Sequence, residues 1–326
     1  MSHPPHPLVF VVVLNINGWA DTRQCLHSLR RLDYENREVV VVDNGSVDDS
    51  EARIRRSFPE VTVLQAGANV GFSRGNNLGI RHALAEGAAF VWLLNNDTTV
   101  DSSALTTLVK EAETDPRIGI VGSVLYFADH PERVQAWGGG TFNALLGKTS
   151  CSMKPTKASE LDFITGASMM VRRAFLEDAG LLDETFFLYM EDTDLCFRAK
   201  QRSWRIAVAE ESVVYHKVGA TANAGSLRRS FDIDRTHVRS NGIFLGKHSG
   251  AALLVAAPLH LAGMVLMRMK RGQLRRLPRL VSEFVRGLRL GLRARRSIAA
   301  ERRIVSGPVA EGRDVVDPPE ISRPVR

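Results

Sequence analysis

Along the first two hundred positions the apolar residues fall in short unbroken runs, each closed by a polar turn. Leu8–Asn15 reads LVFVVVLN and leads into Asn15-Ile16-Asn17, Glu38–Val42 reads EVVVV and stops at Asp43-Asn44-Gly45-Ser46, and Val61–Leu64 is a shorter run. Runs without alternation suit strands buried on both faces of a parallel sheet. Between them, segments from about Asp21 to Arg30 and from Val47 to Ser57 read as helices. Strand, helix, strand, helix at these lengths predicts βαβ units with right-handed crossovers. Phe90–Asn95, FVWLLN, is the strand around which the rest is arranged, because Asn95-Asn96-Asp97 arrive together at its carboxyl end. Ser102 or Ser103 then caps a helix to about Thr114, and Gly119–Tyr126 is a further strand.

After Tyr126 the pattern loosens. Trp137-Gly138-Gly139-Gly140 and the polar Lys148–Ser159 show no clear period and are expected to form a mobile excursion over the functional edge of the sheet. Leu161–Val171 is apolar again, with Thr165-Gly166-Ala167 inside it, small residues that let another group approach the backbone. Arg172–Ala179 reads as a short helix, and Phe186–Met190 leads to a second acidic cluster, Glu191-Asp192-Thr193-Asp194, at the start of a helix to about Arg202. Ile206–Val208 and Val213–Tyr215 are short extended pieces, the second closed by His216.

Beyond Gly219 the character changes. Phe231–Gly246 reads as helix, and Ala251–Met267 is seventeen residues without formal charge, broken by Pro258 and too short for a membrane span. The expected organisation is an α/β domain over 1–220, a helical basic extension over 221–304, and a disordered tail over 305–326 rich in Pro, Gly and charge.

Charge sharpens this division. The 326 residues carry a formal +7, yet 13 Lys and Arg against 2 acids lie between Arg268 and Arg303, so the remainder is net negative. A basic partner surface therefore belongs to the extension alone. Leucine and valine interleaved with arginine, beside an apolar segment, suggest peripheral contact with an anionic membrane; a homodimer interface is the other reading. Aromatics are nearly absent there, which argues against nucleic acid. The cysteines Cys25, Cys151 and Cys196 have neither ligand nor disulfide spacing, so a reducing, cytoplasmic setting is expected. The first ten residues carry no positive segment and do not read as a signal peptide.

Ligands of open α/β sheets collect at strand carboxyl ends, where Asn15, Asn17, Asp43, Asn44, Asn96 and Asp97 fall. Asp43 there can accept from ribose hydroxyls or a base N–H. No G-x-G-x-x-G follows the first strand, so a nucleotide other than NAD or FAD is implied. The stretch Gly67–Gly79, GANVGFSRGNNLG, with Gly71, Arg74 and Asn77, reads as a glycine-rich loop feeding a helix capped by Asn76 or Asn77, and hence as an anion site. Asp97 suits a hard divalent cation, Mg²⁺ or Mn²⁺, shared with substrate phosphates, and His216 can complete a partial shell. Asp192, with Glu191 beside it, would deprotonate an incoming hydroxyl. One base and no second nucleophile imply a single displacement with inversion. A nucleotidyltransferase would place a basic glycine loop after the first strand, and Ile16-Asn17-Gly18-Trp19 does not supply one. A non-catalytic scaffold on the same fold would have lost Asp97 or Asp192, and both are present.

The matching pieces VVLN, VVDNGS, GANVGFSRGNNLGI, WLLNND, TGASMMVRR, DETFFLYMEDTDLCFR and the final Tyr215-His216 run in order from Leu8 to His216. Together they make the chain resemble the family 2 glycosyltransferases of the GT-A (nucleotide-diphospho-sugar transferase) fold, nearest in pattern to rhamnosyltransferase-like and galactofuranosyltransferase-like members. The resemblance implies a mostly parallel central sheet, a dTDP- or UDP-sugar donor, and a glycan or lipid-linked acceptor at the inner face of the cell membrane. It implies that Asp43 contacts the nucleotide, that Asp192 is the base and that His216 joins Asp97 on the metal. Trp137, Gly138, Gly139, Thr165, Gly166 and Ala167 would line the sugar and acceptor pocket. Asn95-Asn96-Asp97 stands where the family often has Asp-x-Asp, which leaves a metal fewer protein ligands.

Overall fold

The computed structural model describes residues 6–217 and 231–305, with side chains described for 232–296 of the second stretch. The domain boundary expected at 220–221 and the tail expected beyond 305 lie outside the described residues. The chain opens β1 (Val9–Asn15), α1 (Trp19–Leu29), β2 (Arg37–Asp43), α2 (Ser50–Ser57), β3 (Thr62–Gln65), α3 (Phe72–Ala85) and β4 (Phe90–Asn95). β5 (Thr98–Val100), α4 (Ala104–Glu113) and β6 (Ile118–Phe127) follow. Next come β7 (His130–Trp137), β8 (Gly139–Asn143), β9 (Lys148–Cys151), β10 (Phe163–Ile164) and β11 (Ser168–Arg172). α5 (Arg173–Ala179), α6 (Glu191–Gln201) and β12 (Arg205–His216) complete the α/β part.

The main sheet runs β3-β2-β1-β4-β11-β6-β12-β5, with β7 on β6. Its first four strands are parallel, as the βαβ reading requires, and beyond them β11 inserts antiparallel between β4 and β6. Successive side chains of a strand point to opposite faces. Accordingly Val9, Val11, Val13, Trp92 and Leu94 pack under α1 and α4, whereas Phe10, Val12, Val91 and Leu93 pack under α3, α5 and α6. Pairing Asn15 with Asp43 and Leu14 with Asn95 aligns the polar strand ends on one edge.

Three sequence expectations change. The region after Tyr126 is ordered: β7 pairs with β6, and β8 forms a small sheet with β9 and β10. Its glycines hid it, because Gly139 lies where a Cβ would sit 1.7 Å from the Phe163 carbonyl oxygen, and Gly140 where one would sit 1.9 Å from that of Ser150. Ile206–Val208 and Val213–Tyr215 are one strand, β12, with a register shift between Ala209 and Val213. The supposed glycine loop is largely helix: α3 begins at Phe72, so Asn76 and Asn77 lie within it and Gly71 caps it. A Cβ on Gly75 would lie 2.6 Å from Leu14, and one on Gly79 2.4 Å from Val12. These glycines press the helix onto β1; they do not cradle an anion.

The extension consists of α7 (Phe231–His248), α8 (Leu253–Lys270) and α9 (Leu277–Val305). α7 and α9 cross at glycines. A Cβ on Gly242 would lie 2.5 Å from the Phe284 carbonyl oxygen, and one on Gly291 2.1 Å from that of Ile243. Helix α8 continues through Pro258, and Gly250–Lys270 is long and apolar enough to cross a membrane, which corrects the expectation of a segment too short. One side of α8 packs Ala256 and Met264 into the extension; Leu254, Val255, Leu259, Leu266, Met267 and Met269 stay exposed.

Candidate active site

At the aligned strand ends a hydrogen-bond relay joins three strands. Asn96 Nδ2 donates to Thr22 Oγ1 at 3.0 Å, Thr22 Oγ1 to Asn15 Oδ1 at 2.8 Å, and Asn15 Nδ2 to Asp43 Oδ2 at 2.8 Å. Asp43 also accepts from the Ser46 backbone and hydroxyl and from Gln65. Burial by itself raises its pKa, but these hydrogen bonds outweigh it and hold the carboxyl below its ordinary range. Asp43 is fully enclosed, and every bond it makes is to the chain itself. It shapes the 43–46 turn, so the direct base or ribose contact implied by resemblance gives way to a supporting role. Asn17, in the left-handed region with φ 48°, accepts from the Val47 amide and ties the first turn to the second. Asn44 bridges to the Val70 amide and the Asn69 side chain, which fixes the approach to Gly71.

Asn77 is corrected outright. Buried within α3, it donates to the Leu182 carbonyl at 2.8 Å and to Glu184 at 3.0 Å, and it accepts from the Leu182 amide at 3.1 Å. It clamps the segment leading to α6 and has no group left for a donor sugar. Asn77→Ala is expected to cost about 1–3 kcal/mol of stability by leaving Leu182 unpaired, with nucleotide affinity unchanged; denaturant melts beside a nucleotide titration would check both. Arg74 is exposed and lies 3.9 Å from Glu184, which Arg81 also engages at 2.6 Å.

Asp97 lies beyond β4, 5% exposed, with Oδ1 3.2 Å from His216 Nε2 and receiving no hydrogen bond. The Gln135 carbonyl oxygen lies 2.7 Å from His216 Nδ1. An acceptor there places the ring proton on Nδ1, so Nε2 turns a lone pair toward a buried carboxylate oxygen. Two acceptors facing one another without a donor between them fit a cation. The donor set, one oxygen and one imidazole nitrogen, suits Mn²⁺ or Mg²⁺ with phosphate oxygens completing the shell. Among the described residues no group of three or more His, Cys, Asp and Glu is arranged to hold an ion, so these two are the protein's share. A cavity of about 360 Å³ borders Asp97, where Lys217 is held by Asp21 and Gln24.

The second carboxylate reaches the same edge through the 165–167 segment. The Asn95 amide donates to the Ala167 carbonyl at 3.0 Å, and the Gly166 amide to Asp192 Oδ2 at 2.9 Å. Asp192 opens α6, and Thr193 donates to its other oxygen at 2.6 Å from the backbone and 3.1 Å from the hydroxyl. Burial is the larger influence and raises the Asp192 pKa, against these hydrogen bonds. The side chain keeps partial solvent access, as a base serving an incoming hydroxyl requires. The two residues before α6, Tyr189 and Met190, both adopt left-handed backbone, at φ 71° and 72°. Strain of this kind, about 1–3 kcal/mol per residue, gathers where a side chain must be aimed.

Glu191 differs from its neighbour. Burial, then the charges of Asp192 and Asp194, raise its pKa well above the ordinary value, and Oε2 is buried without a partner. A carboxyl held protonated does not serve as base, so Glu191 leaves the catalytic pair. Gly138 and Gly139 are also reassigned: their missing side chains make room for Val208 and for the Phe163 carbonyl, not for an acceptor. Thr165 donates its amide to the Gly138 carbonyl, and Ala167 is buried. Gly166 alone of the group borders the base, with Asp192 Oδ2 and Phe72 both 3.6 Å from where its Cβ would be. Trp137 remains a candidate, since its indole N–H is buried without an acceptor. Thr22, Gln135 and Lys217 were not singled out from the sequence, because none stands in a motif. Asp194 was visible in its cluster, but its partners lie in α7.

Residues 10–180 match the family described as glycosyl transferase family 2. A low-salt glycan biosynthesis hexosyltransferase of Haloferax volcanii is 30% identical over 217 residues, 64% of this chain and 68% of the relative. An N-acetylglucosaminyl-diphospho-decaprenol L-rhamnosyltransferase of Mycobacterium tuberculosis is 28% identical across 76% of this chain and 88% of its own. In fold, a mannosyltransferase from Pyrobaculum calidifontis, in complex with GDP-Man and Mn²⁺, matches 87% of each chain at a TM-score of 0.54 and 17% identity. With the matched stretch covering more than half of its length, the chain belongs to glycosyl transferase family 2, whose members move a sugar from a nucleotide-sugar donor to an acceptor.

Proposed function

We propose that the protein is an inverting transferase that moves rhamnose, from a dTDP- or UDP-linked donor, to a hydroxyl of a glycan or lipid-linked acceptor. The observation that carries the inverting reading is Asp192, half-open to solvent, held by the Gly166 amide and raised in pKa by burial. Its free lone pair takes the acceptor's proton as the new C–O bond forms and the bond to the diphosphate breaks. A divalent cation between Asp97 and His216 would neutralise the departing diphosphate. Gln135 keeps the His216 proton on Nδ1, and the relay from Asn96 to Asp43 holds the strand ends in place. Rhamnose is favoured by the mycobacterial relative, whose name specifies it. The exposed apolar side of α8 beside arginine-rich α9 supports peripheral attachment to the inner face of the cell membrane.

Sugar release from a panel of dTDP-, UDP- and GDP-sugars, with and without Mg²⁺ or Mn²⁺, tests this reading. The expected result is turnover of dTDP-rhamnose with metal, and loss of the metal response in Asp97→Ala. Intact donors throughout, even with envelope lipid added as acceptor, would overturn it.

A further inference from the structure

The extension matches its structural arginines with acids. Arg235 and Arg239 share Glu283, and Arg268 and Arg276 share Asp234. One face of α9 departs from that rule. Arg286, Arg289 and Arg293 recur at helical spacing beside Val285 and Leu290, are exposed, and line a groove of about 660 Å³. Among the described residues Arg286 and Arg289 have no acidic partner. The groove's position is as telling as its charge: Leu290 packs into the cluster of Phe186, Tyr189 and Met190, the residues that lead into Asp192.

We infer that this arginine face is the binding site for the diphosphate of a polyprenyl-linked acceptor. Guanidinium groups a turn apart can each take two phosphate oxygens, which suits a compact dianionic group better than a single charge. A groove, unlike a flat basic surface, selects a discrete ligand. The exposed apolar side of α8, in the same helical unit, offers the prenyl chain a place to lie. The donor's own diphosphate is served at Asp97, so the two phosphate sites have separate tasks. The inference rests on the transferase reading for the meaning of the bound acceptor, though not for the binding itself.

Farnesyl diphosphate is the probe, titrated into the full chain by calorimetry, with farnesol and phosphatidylglycerol vesicles as comparisons. The wild type should bind farnesyl diphosphate at least tenfold more tightly than farnesol. Arg286→Ala/Arg289→Ala should lose that preference while keeping nucleotide affinity and melting temperature, since both side chains are exposed, and Arg286→Lys/Arg289→Lys should recover part of it. Equal binding of the diphosphate by wild type and double variant would overturn the inference. So would a double variant that loses only vesicle binding, which would make the face a general headgroup contact. Failure of the nucleotide to bind wild type would instead count against the transferase reading, leaving the diphosphate result to stand by itself.

Discussion

Asp192→Asn is expected to lower kcat by about 10²–10⁴-fold, the usual contribution of a positioned general base, with donor affinity unchanged. Asn keeps an oxygen for the Gly166 amide and fits the same space, so the fold has no reason to change. What it lacks is the basic lone pair. Glu191 offers no substitute, because its carboxyl is buried and held protonated. The pH profile makes a second check. Asp192 acts as a base only when ionised, and burial raises its pKa. Activity is therefore present at neutral pH and falls as pH drops through that raised value, so the acid limb of kcat/KM lies above the ordinary Asp value of about 4. A variant retaining more than a tenth of wild-type kcat would place the base elsewhere.

The second large effect is on stability. Asp194 is wholly buried and receives Arg198 at 2.8 Å, Lys247 at 2.7 Å and His248 at 2.7 Å. Lys247 is itself enclosed and also meets Asp183 at 2.6 Å. Burial opposes ionisation of Asp194, yet these three cations outweigh it and hold the pKa well below the usual range. Asp194→Asn leaves buried positive charge without its counterpart, which costs about 3–5 kcal/mol; urea melts would measure it. The sign with pH follows from the depressed pKa. The stabilisation is complete above the ordinary carboxylate range and is lost as pH falls below it toward the folded-state value. A change under 1 kcal/mol would mean that the cluster contributes little and that α6 and α7 are joined by packing alone.

Where one run of residues makes one element, the sequence was readable. β1, β2 and β4 are apolar throughout because helices cover both of their faces, and their last polar residues mark the functional edge without help from tertiary structure. Asp97, Asp192 and His216 were legible for that reason: each stands at an element boundary. Glycine misled in both directions. In α3 it meant close helix packing against Leu14 and Val12 where a phosphate loop was expected, and in β8 it hid a strand that pairs too closely for side chains. Asn77 and Glu191 had the right residue type in the right motif, and only their partners showed otherwise. An amide committed to Leu182, or a carboxyl buried beside two others, is a long-range fact that local pattern does not carry.

The crossing of α7 and α9 has a consequence for reach. Backbones meeting at Gly242 and Gly291 leave no side chains between them to slide or repack, and Lys247 fixes the end of α7 to Asp194 in the catalytic helix. A helix of 29 residues is about 44 Å long. Built this way, α9 works as a ruler: the span between Asp192 and whatever surface α8 rests on is set by helix length. Lengthening α9 by a turn would move that surface, and the choice of acceptor with it, while leaving every catalytic side chain where it is.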